Sequence, residues 1–431
     1  MLSKTAWDVI VIGSGPGGVA AAVEARKAGA DDVLVIERDV EPGGILLQCI
    51  HNGFGLELLG QDLPGPAYAQ HFIDEAKALG VRFLLNTMVM AIDGQRQVTI
   101  SSKEHGYVQL QAGAIVLAMG CRERTRAQVR IPGMRPNGVF TAGTAQRWVN
   151  VEGYMPGKNV VILGSGDIGM IMARRLTFEG AKVERVLEIQ SYLSGLARNY
   201  VQCLLDYDIS LQLQHTIKRV MGKDRVEAIE AVAVDDKWNF IPGTEEIIPC
   251  DTLLLSVGLI PENELSRQVG VLLDPVTGGP FVDETYQTNV PGIYAAGNVV
   301  HVYDLVDWVS EAGFEAGRNA ARFAIRQREA KSRYLPVIAG KNVRYVVPHR
   351  LDINTLEKEP VRLQMRVTRP IEETVYIEAR GEDNQISRRT ERYVRPGEMV
   401  TVELEPQHYA ELSKTGKLTV DIYPRSEVKN A

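Results

Sequence analysis

The chain has 431 residues, too many for one hydrophobic core, and divides naturally into two or three domains. Its 45% apolar and 24% charged residues are those of an ordinary globular protein, and a net charge of −6 leaves no basic surplus for nonspecific nucleic-acid binding. No apolar run approaches the ~20 residues that span a bilayer, and the Gly-rich turn at residue 13 comes too early for a cleavable signal peptide.

The first element predicted is a strand, WDVIVI, followed by the turn GSGPGG, a helix of small residues and a second strand, VLVIE, ending at Glu37. The same arrangement returns 151 positions later as KNVVILGSGDIGMIMARRLTFEGAKVERVLE, ending at Glu188. Gly13, Gly15, Gly18 and Glu37 map without a gap onto Gly164, Gly166, Gly169 and Glu188. In each copy the first glycine permits a tight turn and the second lets backbone approach a pyrophosphate. The third allows close packing of helix on strand. The helix N-terminus then presents free N–H groups and a positive dipole end to the diphosphate. The acid, 19 residues past the third glycine in both copies, is placed to accept hydrogen bonds from an adenosine ribose. Two such units predict two dinucleotides, FAD in the first and a nicotinamide nucleotide in the second. Glu188 would repel a 2′-phosphate, which favours NAD(H) over NADP(H), although Arg185 and Arg198 lie nearby in sequence.

Between the copies, GGILLQCIHNGFG (43–55) places Gly43 and Gly44 where they can line the first diphosphate and sets Cys49 and His51 near the flavin. Two further apolar strands, AIVLAMG and DTLLLSVG, end at Gly120 and Gly258, where the chain leaves a parallel sheet. At TNVPGIYAAGN the chain reaches Gly297 and Asn298. A helix expected from about Leu305 to Arg328 follows, with Val306, Val309, Ala312 and Gly313 on its packed side. Beyond Arg333, stretches such as VRLQMRVTR and MVTVELE alternate apolar and polar residues, predicting five or more short antiparallel strands.

The ordered markers GSGPGG, VLVIE, VLAMG, VILGSGDIG, LLLSVGLIPENEL and GIYAAGN resemble the flavoprotein pyridine nucleotide–disulfide oxidoreductase superfamily over residues 5 to about 330. The resemblance implies an α/β fold with two Rossmann-like dinucleotide-binding domains, the NAD domain inserted in the FAD domain, plus a small C-terminal all-β domain. The expected boundaries are 1–155 and 285–333 for FAD, 156–284 for NAD and 334–431 for the β domain. In that superfamily an aspartate after the GIYAAG-like glycine bonds the ribityl chain; here Asn298 stands in its place and can still bond a hydroxyl. GCRERTRAQVRIPGMRPNGVFTAGTAQ is similar to alpha subunits of opine and amino-acid dehydrogenases. GGILLQCIHNGFG, GPAYAQ and GNVVHVYDLVDWVSEAG are closer to the FAD-dependent oxidoreductases that accompany anaerobic-type glycerol-3-phosphate dehydrogenases. The resemblance implies exchange of electrons between NAD(H) and a partner dehydrogenase, docking or self-association through the β domain, and no nucleic-acid partner.

The four cysteines, at 49, 121, 203 and 250, form no CxxC pair and no metal-ligand spacing, which fits a reducing cytoplasm and predicts no metal site. A lone redox thiol at Cys49, assisted by His51, would instead make a stand-alone thiol or coenzyme A disulfide reductase. The SFxxCGLPY-like run of coenzyme A disulfide reductases is absent, and the tail carries Pro348–His349 rather than the His–Pro pair of the large disulfide reductases. Two readings remain beside electron exchange with a partner: a disulfide reductase using Cys49, and a scaffolding subunit with unused nucleotide sites.

Overall fold

The computed structural model describes residues 4–326, 333–382 and 384–428. Two compact units are present, one formed by residues 1–121 with 261–431 and the other by Arg122–Ile260.

The first unit begins with β1 (Ala6–Ile12), α1 (Pro16–Lys27) and β2 (Val33–Ile36), and continues through α2 (Gly65–Ala78), β3 (Arg82–Leu84), β4 (Thr87–Ile92), β5 (Gln97–Ser102) and β6 (Gly106–Leu117). The sheet order is β3-β2-β1-β6-β5-β4. The strands β3, β2, β1 and β6 run parallel, with Ile10 beside Leu34 and Ile115, whereas β4 and β5 add antiparallel. The last four residues of β1 and all of β2 are buried, as expected of parallel strands covered on both faces. Pro16 at the first turn and Arg26 and Lys27 at the last suit the two ends of α1 and its dipole.

In the second unit the strands β7 (Val139–Thr141), β8 (Asn159–Leu163), β9 (Lys182–Glu188), β10 (Leu211–Leu213) and β14 (Thr252–Leu255) form a parallel sheet in the order β10-β9-β8-β14-β7. Helix α3 (Asp167–Phe178) follows β8, and β11 (His215–Met221), β12 (Ala228–Ala233) and β13 (Glu246–Pro249) make a separate antiparallel sheet. Relative to the expected span of 156–284, this unit starts and ends earlier. Pairing of β7 with β14 draws the stretch after Arg122 into it, and residues 261–284 belong to the first unit.

The chain then returns to the first unit as β15 (Ile293–Ala295), which extends the parallel sheet beside β6. The helix α4 (Val306–Ala324) follows, and residues 327 and 328 of the longer helix expected lie outside the described residues. Its small residues pack directly on α1: a Cβ at Gly313 would sit 2.3 Å from the carbonyl oxygen of Gly17, and one at Gly317 2.0 Å from that of Ala21. The C-terminal portion contains β16 (Tyr334–Ala339), β17 (Val343–Val347), β18 (Arg350–Asp352), β19 (Val361–Val367), β20 (Val375–Arg380), β21 (Gln385–Glu391), β22 (Val400–Leu404) and β23 (Leu418–Pro424). They form one sheet ordered β18-β16-β23-β20-β21 and another ordered β17-β19-β22. Among the described residues these pairs are antiparallel except β16 with β23, a long-range pairing that alternation alone could not reveal. Leu363, Ile377, Leu404 and Ile422 belong to the core of this module. Among the described residues no helix is long and apolar enough to cross a membrane.

Candidate functional site

Each GxGxxG turn is built as the glycines require. Gly13 has φ +101° and Gly164 φ +99°, and a side chain at either would strike a carbonyl oxygen of the neighbouring strand end, Ala118 or Ser256. Both Gly15 and Gly166 sit at the N-cap of their helix with no side-chain cap, which leaves first-turn N–H groups for a ligand, although in the second helix the Gly169 N–H already donates to Ser256 Oγ at 3.1 Å. Beside Gly15 nothing lies within 4 Å of an added Cβ, which gives a diphosphate room against bare backbone. A Cβ at Gly18 would meet the Gly13 carbonyl oxygen at 1.9 Å, and one at Gly169 the Gly164 oxygen at 2.8 Å.

The two acids are held by an identical network. Ser14 donates to Glu37 Oε2 from its N–H at 2.9 Å and its hydroxyl at 2.7 Å, while the Asp39 N–H reaches Oε1 at 2.9 Å. At the same offset of 151, Ser165 donates twice to Glu188 Oε2 at 2.9 and 2.7 Å, and the Gln190 N–H reaches Oε1 at 2.9 Å. The match continues onto the next loop: the Gly43 N–H donates to Ser14 Oγ at 3.2 Å, and the Ser194 N–H to Ser165 Oγ at 3.0 Å. The copies then diverge, because the Ser194 hydroxyl adds a third donor to Glu188 Oε2 at 2.9 Å where Gly43 has no side chain. Both carboxylates are buried, and each keeps capacity on Oε1 for a ribose hydroxyl. Sequence reasoning did not single out the serines, though their identical place within GSG in both copies was the available signal.

Around the expected flavin, Gly44 lies against Gly15, with a Cβ there 2.9 Å from the Gly15 Cα. Gly120 and Gly297 have φ of +69° and +74°, as does Gly258 at +99° in the second unit. Asn298 receives the Tyr303 N–H on its Oδ1 at 3.1 Å and directs Nδ2 toward Cys121 Sγ at 3.8 Å. An N–H needs an acceptor, so the Tyr303 contact sets the amide orientation, and of the two NH2 hydrogens one is directed at Cys121 and the second is left for a ligand oxygen. Asn298 thus offers a donor where an aspartate would offer only acceptors.

Cys49 ends the short helical turn Gly44–Gln48, and its Sγ contacts the Ile45 carbonyl oxygen at 3.3 Å. Burial pushes this thiol up to about 12, the reverse of what a thiolate nucleophile needs. His51 turns Nδ1 onto the Asn52 carbonyl at 2.9 Å and its ring stands 5.1 Å from Phe54. Burial also raises the Cys250 thiol to about 12 and raises that of Cys203, and none of the four cysteines is in a disulfide. Among the described residues no group of three or more His, Cys, Asp or Glu is placed to hold a metal.

Residues 7–322 match the model of the pyridine nucleotide-disulphide oxidoreductase family, and the chain belongs to that family. It is therefore an oxidoreductase of an FAD- and NAD(P)H-dependent family. A thioredoxin reductase of Listeria innocua is 27% identical over 334 residues, covering 75% of this chain and 96% of that one. An NAD(P)H sulfur oxidoreductase (CoA-dependent) of Pyrococcus abyssi is 27% identical, covering 74% of this chain and 70% of that one. An opine oxidase subunit of Agrobacterium tumefaciens is 29% identical, covering 74% and 64%. The crystal structure of T. acidophilum thioredoxin reductase superposes with a TM-score of 0.61 at 22% identity, covering 75% of this chain and all of that one, which shows the shared fold. The C-terminal β-rich module lies beyond the matched range.

Proposed function

We propose that the protein passes electrons between NAD(H) and a partner dehydrogenase through FAD, in the oxidation of a small polyol phosphate such as glycerol 3-phosphate. The carrying observation is the state of the thiols: four cysteines outside any disulfide, with the half-buried Cys49 thiol pushed up to about 12 by desolvation. Electrons leaving the flavin then require an acceptor other than an internal disulfide. A relative that is a subunit of an opine oxidase supports a partnered arrangement, and the segments 43–55 and 297–313 support the polyol phosphate.

When bound, the flavin supplies hydride exchange with nicotinamide and onward electron transfer. The chain's own residues bind and orient. The α1 N-terminus at Gly15 and Pro16 would take the FAD diphosphate, Glu37 the adenosine ribose, and Asn298 a ribityl hydroxyl oxygen. In the second unit the α3 N-terminus would take the NAD diphosphate. Glu188, buried and engaged by two serines and the Gln190 amide, would accept a 2′-hydroxyl and disfavour a 2′-phosphate by charge and space. Cys49 and His51 would line the flavin pocket, and the compartment that suits this role is the cytoplasm.

Anaerobic titration of the purified flavoprotein with NADH, beside the Cys49→Ser variant, tests this reading. Equal flavin bleaching in both, with reoxidation by a co-purifying dehydrogenase, is expected. Disulfide turnover that disappears in Cys49→Ser would replace it with a thiol reductase.

A further inference from the structure

The 301–304 segment, between Asn298 and α4, is gripped by the C-terminal module. Arg366 on β19 forms an ion pair with Asp304 in which the two side chains are only 14% and 10% exposed. The same guanidinium donates to the Val302 carbonyl at 3.1 Å and to the Pro396 carbonyl at 3.1 Å. The second oxygen of Asp304 accepts the Met399 N–H at 2.6 Å. The two neighbours of Tyr303 are thus tied to one arginine. Tyr303 is itself buried, in an apolar cluster with Val309 and Ala312 of α4 and Met399 of the C-terminal module. Its backbone N–H is the group that sets the Asn298 amide.

We propose that Arg366 is a positioning residue for the flavin. By fixing Val302 and Asp304 it aims the Tyr303 N–H at Asn298 Oδ1, so that the Asn298 NH2 stays turned to the cofactor. The inference rests on the reading that Asn298 contacts FAD. It gives the C-terminal module a role in holding the cofactor of the preceding domain, through a chain of contacts rather than through the flavin itself. A clamp that merely joined two modules would stabilise the fold without acting through Asn298.

A double-mutant cycle separates these roles. FAD affinity is measured by reconstituting the full-length apoprotein with FAD and following flavin fluorescence, for wild type, Arg366→Met, Asn298→Ala and the double variant. Arg366→Lys is run through the same cycle in case the methionine variant does not fold. Loss of one oriented hydrogen bond predicts about tenfold weaker FAD binding for Arg366→Met in the wild-type background. In the Asn298→Ala background the same change should alter affinity less than about twofold. Arg366→Lys keeps the charge for Asp304 but loses the fork that also reaches Val302, and should fall between. An equal loss in both backgrounds, or no loss in either, overturns the positioning role while leaving Asn298 as an FAD contact. An Asn298→Ala variant that binds FAD like wild type overturns the Asn298 contact and the route through it together.

Discussion

His301 provides an acid-sensitive point in the same neighbourhood. Its ring is 1% exposed, packs edge-on to Tyr303 at 4.2 Å, and meets the Tyr345 hydroxyl at 3.4 Å through Nδ1. Burial, and then the nearby Arg366 cation and His349, push its pKa down to about 3 from 6.5; Gln364 opposes the shift. The folded chain therefore keeps the imidazole neutral, while the unfolded chain protonates it below pH 6.5. Stability must fall as pH drops from 6.5 toward 3, at about 1.4 kcal/mol per unit. Between about pH 7 and pH 5 this amounts to about 2 kcal/mol from this one group. The perturbation is His301→Phe, which keeps a ring against Tyr303 and removes the proton site. Urea unfolding of both proteins with saturating FAD, at about pH 7 and pH 5, isolates the term, because the carboxylates contribute alike to each. Wild type should lose about 2 kcal/mol more than His301→Phe over that interval. Equal losses would refute the burial argument, and a larger loss in the variant would reverse it.

Other expectations are equally direct. Gly317→Ala places a Cβ 2.0 Å from the Ala21 carbonyl oxygen and should cost about 1–3 kcal/mol in thermal or urea unfolding as α4 is forced off α1; an unchanged midpoint would contradict the close packing. Gly18→Ala, with its Cβ 1.9 Å from the Gly13 oxygen, should yield protein purified largely without flavin, visible as a loss of flavin absorbance relative to protein. Glu188→Gln removes the charge held by Ser165 and Ser194, and should weaken NADH by about tenfold while shifting the NADH-to-NADPH affinity ratio toward NADPH; calorimetric titration of both nucleotides would expose an unchanged ratio.

Much of the local geometry of the candidate nucleotide sites was legible because its causes are local. A glycine at φ +101° and an uncapped helix start need only a few adjacent residues to be recognised, and the offset of 151 repeats them. Gly43 and Gly44 follow β2 closely in sequence, although their contacts with Ser14 and Gly15 close a loop of 29 residues. The buried serine–glutamate pairs were half visible. Ser14 and Ser165 recur at the same offset, but the sequence does not say that a hydroxyl 23 residues upstream meets the acid. Cys49 illustrates the opposite limit: its neighbours in sequence allowed a reactive thiol, and only desolvation by the surrounding fold raises the thiol to about 12.

By itself the sequence determined two strand–turn–helix–strand units, their glycine turns, the acid at the end of each second strand and a β-rich tail. Period, glycine placement and spacing act over a turn or two of chain, so they survive without knowledge of the fold. Tertiary structure alone decided that β7 joins the second sheet, that β16 runs parallel to β23, and that Arg366 reaches back 62 residues to Asp304. Those outcomes depend on which buried surfaces and charges find one another in space. A guanidinium can be taken from water only where a carboxylate and carbonyl oxygens already converge, and that convergence is a property of the packed molecule.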